Sequence, residues 1–231
     1  MTTLTTNPDA AHADTVVRRF SSSRLAGIGG LAFAGSVIVQ NILRAGYPTN
    51  DASAGDVIDY YGDHRAITIA LALLFPIGIA GLATFVGGMV ARTWNGPGRA
   101  AAVSGLIGAA GIIGNFTILL ATDTAISGYV HRGAADTSVV EAMWVTHSSM
   151  FGVLLASIGV GLAGLSTAAV RSGLLASRWR TIGLTGAALL LGSAATTPFI
   201  IDGSPTMFVG LVGFLTWVAF LVAASAKLLR A

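Results

Sequence analysis

Six stretches of the chain contain no Asp, Glu, Lys or Arg: about Leu25–Leu43, Ala66–Ala91, Ala100–Thr122, Ala142–Val170, Thr181–Ile201 and Thr206–Ala226. A helix needs roughly 20 apolar residues to cross about 30 Å of hydrocarbon, and each stretch meets that length. A closed β-barrel is the other way to span, but its strands are short and alternate in polarity, whereas these runs are continuous. The pattern predicts an all-α integral membrane bundle of six transmembrane helices over residues 23–231. Residues 1–22 are polar, without sustained periodicity, and read as a disordered cytoplasmic tail.

The first apolar run also invites comparison with a leader. Arg18-Arg19-Phe20 resembles a twin-arginine start, and Ala32-Phe33-Ala34 resembles a cleavage site. Ser21 stands where such signals carry an aromatic or apolar residue, and a cut after Ala34 would strand the apolar run to Leu43. The expectation is therefore a retained first helix.

Composition and charge add orientation. The chain is 54% hydrophobic and 10% charged, with a mean hydropathy of +0.77, far from the roughly 25% charged residues of soluble domains. With the N-terminus inside, ten basic residues fall on the inner side and three, Arg44, Arg65 and Arg132, on the outer. Most acidic residues lie outside, as do all four tyrosines, while Trp94 and Trp179 lie at the inner boundary. The positive-inside rule then places both termini in the cytoplasm, and the Arg-, Ala- and Gly-rich composition suits a bacterial plasma membrane. Basic residues punctuate apolar runs and do not cluster with aromatics, which argues for a lipid bilayer as the partner and against nucleic acid.

A rhythm runs through the outward-going helices. Each begins after an arginine and carries an uncharged polar residue sixteen positions later: Arg24 and Gln40, Arg99 and Asn115, Arg180 and Thr196. Six helices then read as three parallel helical hairpins, although any even-span protein obeying the positive-inside rule has some of this rhythm. Small residues recur at four-residue spacing, as at Ala26, Gly30, Ala34 and at Ala101, Gly105, Ala109. Such stripes let helices approach closely, in a bundle or in a homo-oligomer. Pro76 interrupts the second run and is expected to kink it.

Candidate chemistry is sparse. The absence of cysteine excludes disulfides, thiolate nucleophiles and Cys-metal sites. No serine-nucleophile motif fits Gly35-Ser36-Val37 or Gly203-Ser204-Pro205, and no phosphate-binding loop or H-E-x-x-H helix is found, so no catalytic residue is assigned and an enzyme is not expected. Ionisable residues near the hydrocarbon are the default site candidates. Counted from the inner arginines at 1.5 Å per residue, Asp123, His147 and Asp202 all stand roughly 33–36 Å up. They would share an outer ligand or proton site, or else sit solvated in the headgroup zone. Gln40, Asn115 and Thr196 stand roughly 24 Å up by the same count, lining a polar layer beneath that site or simply bonding helix to helix. Haem is an unfavoured cofactor: only His147 falls within a span, with Met143, Met150 or Met207 as a second ligand. The outer run Asp51 to His64 lacks calcium-loop spacing and reads as a solvated acidic loop with a short helix, not a metal site.

The layout from Arg24-Leu25-Ala26-Gly27, with Tyr60-Tyr61-Gly62-Asp63-His64-Arg65 outside and the basic turn from Arg92 to Arg99, resembles small six-span actinobacterial membrane proteins of unknown function. That resemblance implies no functional residues. Three roles are expected: an accessory, structural or partner-binding protein; a small transporter or channel using an outer polar cavity; and a haem-binding redox protein.

Overall fold

The computed structural model describes residues 8–133 and 136–230, with side chains from Ser22 onward. Among the described residues the chain forms eight helices and no strand: α1 (Pro8–Leu43), α2 (Ala54–Asp63), α3 (Arg65–Thr93), α4 (Arg99–Val130), α5 (Thr137–Arg171), α6 (Arg178–Ala195), α7 (Thr197–Ile201) and α8 (Met207–Arg230). Of the tail expected over residues 1–22, residues 1–7 lie outside the described residues, and α1 already begins at Pro8.

Five of these helices are long and apolar enough to cross a membrane: Ser22–Leu43 of α1, then α3, α4, α5 and α8. Large apolar side chains are exposed along them, among them Ile28, Leu73, Ile107 and Leu215. Such a surface is unstable in water and suited to lipid, so the chain is a multi-pass membrane protein.

The stretch from Thr181 to Ile201 departs from a single continuous helix. It divides at Thr196 into α6 and α7 because Pro198, in the first turn of α7, has no N–H to continue the ladder. Threonine hydroxyls cover the carbonyls this frees: Thr197 Oγ1 donates to the Ala194 carbonyl at 2.6 Å, and Thr196 Oγ1 to Ser193 at 2.8 Å. Pro76 lies inside α3, which continues as one helix to Thr93.

The long helices close a ring in which α1 packs on α3, α3 on α4, α4 on α5, α5 on α6, α6 on α8 and α8 on α1. Helix α5 also touches α3 and α8 and is the most buried of the five spans. Close approach through glycine holds the ring together. A Cβ on Gly81 would lie 2.6 Å from the Gly29 carbonyl, and one on Gly164 would lie 2.6 Å from the Ala101 carbonyl, so α3 meets α1 and α5 meets α4 backbone to backbone.

Helices α4 and α5 have 32 and 35 residues, about 48 and 52 Å at 1.5 Å per residue, well beyond the hydrocarbon thickness. At the end bearing Arg44, their projecting turns carry a small second core. Val57, Tyr60 and Tyr61 of α2 pack there on Ile126 of α4 and on Val140 and Trp144 of α5. Helix α2 is started by a capping box in which Ser53 and Asp56 bond each other's backbone N–H. At the opposite end, Arg171 Nη1 donates to the Pro97 carbonyl at 3.3 Å and Arg99 covers the Trp94 ring at 4.4 Å.

Candidate functional site

The cap is tied to the bundle by one carboxylate. Asp123 lies on the turn of α4 that faces α1 and α5, and it is completely buried. An isolated carboxylate would not stay ionised there without partners. Arg44, just beyond α1, donates from Nη2 to Asp123 Oδ2 at 2.8 Å. Tyr61 of α2 donates to Oδ1 at 2.7 Å, Tyr47 donates to the same oxygen, and the two phenol oxygens touch. His147 of α5 brings Nε2 to 3.2 Å from Oδ1, without the alignment of a hydrogen bond. That contact becomes an ion pair when the ring is protonated.

Local structure explains why these groups meet. The chain leaves α1 through a tight turn in which the Tyr47 N–H donates to the Arg44 carbonyl at 2.9 Å, folding both side chains back over the bundle. The strand of loop that follows is pinned to α5, since Trp144 Nε1 donates to the Thr49 carbonyl at 3.2 Å. The Tyr47 ring packs against Tyr60, Tyr61, Trp144 and His147, and the His147 ring stacks on Trp144 at 4.8 Å and 6°. Burial, followed by the nearby Asp123 charge, pushes the Tyr47 and Tyr61 phenols well above their ordinary values. Both therefore remain O–H donors to the carboxylate at any physiological pH.

Of the six residues singled out in the sequence, Asp123 and His147 come together, and neither is solvated. Asp202 is exposed at the end of α7, apart from the cluster. The polar layer does not converge. Asn115 Nδ2 bonds the Gly111 carbonyl and, at 3.2 Å, Ser157 Oγ across the α4–α5 seam. Thr196 serves the α6–α7 break and accepts or donates across to Thr206 Oγ1 at 3.0 Å. Gln40 lines a cavity.

Sequence reasoning missed Arg44, Tyr47 and Tyr61 as site residues. The available signal was Arg44 itself, one of three basic residues on the acidic side and one helical turn past Gln40. A guanidinium at the end of an apolar run calls for a carboxylate nearby. Among the histidines with described side chains, His64 and His131 each bond a carbonyl of their own helix, at 2.9 and 2.8 Å, and His147 is held between Trp144 and Asp123. Among the described residues no group of three or more His, Asp or Glu forms a metal cage.

Below the cluster, the halves of α1 and α8 nearer Arg44 part. Their other halves are in contact, where a Cβ on Gly27 would lie 2.9 Å from the Ser225 carbonyl. The gap is a cavity of about 220 Å³ with Phe116, Phe151 and Leu155 at its back, Leu211 and Phe214 on the α8 side, and Gln40, Asn41 and Arg44 along α1. Its wall is apolar except at the Arg44 end.

No family model, curated protein or solved structure matches this chain.

Proposed function

We propose that the protein is an accessory membrane protein that works by binding, holding a membrane-dissolved molecule in the cavity between α1, α4, α5 and α8. It crosses a bacterial plasma membrane six times with both termini in the cytoplasm. The split of basic residues supports that orientation. The sixth crossing is the pair α6–α7: residues 178–201 cover about 36 Å at helical rise, and both neighbours, α5 and α8, are long apolar helices. The hairpins α1–α3, α4–α5 and α6–α8 then run in parallel.

The observation that carries the binding role is the division between the polar cluster and the cavity. Asp123 is saturated by Arg44, Tyr47 and Tyr61, so it ties the cap down and lines no aqueous path. Beneath it the open volume is apolar. A cavity of about 220 Å³ exceeds the roughly 150 Å³ apolar cavities that take up benzene-sized ligands. An ion conductor would instead need polar groups along the hydrocarbon, and Asn115 is engaged by Ser157 of α5 and Thr196 by Ser193 and Thr206.

The test is extraction and mass spectrometry of small molecules retained by the purified protein, compared with Leu211→Trp, which fills the cavity from a position 48% exposed. The wild-type protein retains an apolar or amphiphilic compound near one per chain, and the variant loses it. Equal retention by the two proteins, or none by either, contradicts the reading.

A further inference from the structure

The cavity is chemically lopsided, and that asymmetry selects a ligand class. Its only charged lining residue is Arg44, at one end. Arg44 has five N–H donors, yet only Nη2 has a hydrogen-bond partner, Asp123; Nε is buried without one. The side chain stays 23% exposed. Beside it, one turn back along α1, Gln40 has a side-chain amide with no hydrogen-bond partner, and Asn41 uses its Nδ2 on the Val37 carbonyl, leaving its oxygen open. No acidic residue lines the cavity. The remainder is phenylalanine, methionine and aliphatic surface between α1 and α8, with Phe208 and Leu211 at the exposed rim.

We propose that this cavity takes the single chain of a long-chain carboxylate, with the carboxylate on the remaining donors of Arg44 and beside the Gln40 amide. Guanidinium recognises a carboxylate through paired N–H donors. A head group on Arg44 is shared with Asp123, so the same arginine holds the cap and the ligand. The inference rests on the cavity being a binding site and adds the charge of the occupant.

The experiment is saturation binding of radiolabelled oleate to the purified full chain in nanodiscs, with oleyl alcohol as the uncharged competitor. One oleate binds per chain, and oleyl alcohol competes at least tenfold more weakly. Arg44→Gln leaves Asp123 unpaired, so Arg44→Gln is made together with Asp123→Asn, which keeps a neutral hydrogen-bonded pair; that protein binds acid and alcohol equally. Leu211→Trp weakens both. If alcohol and acid compete equally on the wild-type chain, the carboxylate assignment fails while the cavity remains a binding site. If neither binds saturably, the carboxylate assignment fails, while the binding role itself stands or falls on what is extracted from the purified protein. If the tenfold preference survives in the double variant, Arg44 is not the anchor and the proposal is overturned.

Discussion

Asp123 shows how one residue organises this molecule. It is wholly buried, and removing one member of a buried ion pair costs about 3–5 kcal/mol because the other charge is left uncompensated. Asp123→Ala is therefore expected to lose about that much, seen as an early unfolding transition in detergent. Asp123→Asn combined with Arg44→Gln should lose far less, since it removes both charges and keeps the shape. Equal losses in the two proteins would show that the ion pair carries no special weight. Helix counting alone placed Asp123 and His147 at one height, and they do meet. It placed Asp202 there too, but height says nothing of azimuth, and the break at Thr196 and the turn after α7 leave Asp202 in solvent. Arg44 and Tyr47 reach Asp123 through the fold of a loop and Tyr61 through the packing of α2, and periodicity encodes neither.

At the scale of elements, apolar length located five helices because the bilayer imposes one simple condition on each. It underestimated their ends. Helix α4 continues to Val130 and α5 starts at Thr137, past the apolar runs, because Ile126, Val140 and Trp144 find a second core with α2. The acidic outer run was legible as a loop with a short helix; that it carries Tyr60 and Tyr61 into this core was not. The small-residue stripes at Ala26, Gly30, Ala34 and at Ala101, Gly105, Ala109 lie at crossings, whereas Gly192 meets nothing within 4 Å, and two glycines of α3 allow a paired prediction on one helix. Gly81→Ala puts a Cβ 2.6 Å from the Gly29 carbonyl, forcing α1 and α3 apart, while Gly87→Ala meets nothing within 4 Å. The first should cost about 1–3 kcal/mol by overpacking, and the second should be neutral or gain up to about 1 kcal/mol from helix propensity. Thermal unfolding of the two variants side by side gives the comparison, and indistinguishable transitions would count against the backbone-to-backbone crossing.

For the whole molecule, the ring of helices, the cap on Asp123 and the cavity below it form one arrangement: the cap fixes Arg44, and Arg44 gives the cavity its polar end. The direction of α1 sets the leaflet that end faces, and the α6–α7 pair sets the number of crossings. The chain has no cysteine, so single cysteines report position without background. Cysteines at Ser53, Ser177, Ser204 and Ala231 are to be exposed to a membrane-impermeant maleimide in intact cells. Six crossings with both ends inside predict labelling at 53 and 204 and protection at 177 and 231 until the membrane is opened. Labelling at 231 together with 53, with 177 still protected, would mean that α6–α7 does not cross, and would contradict the account.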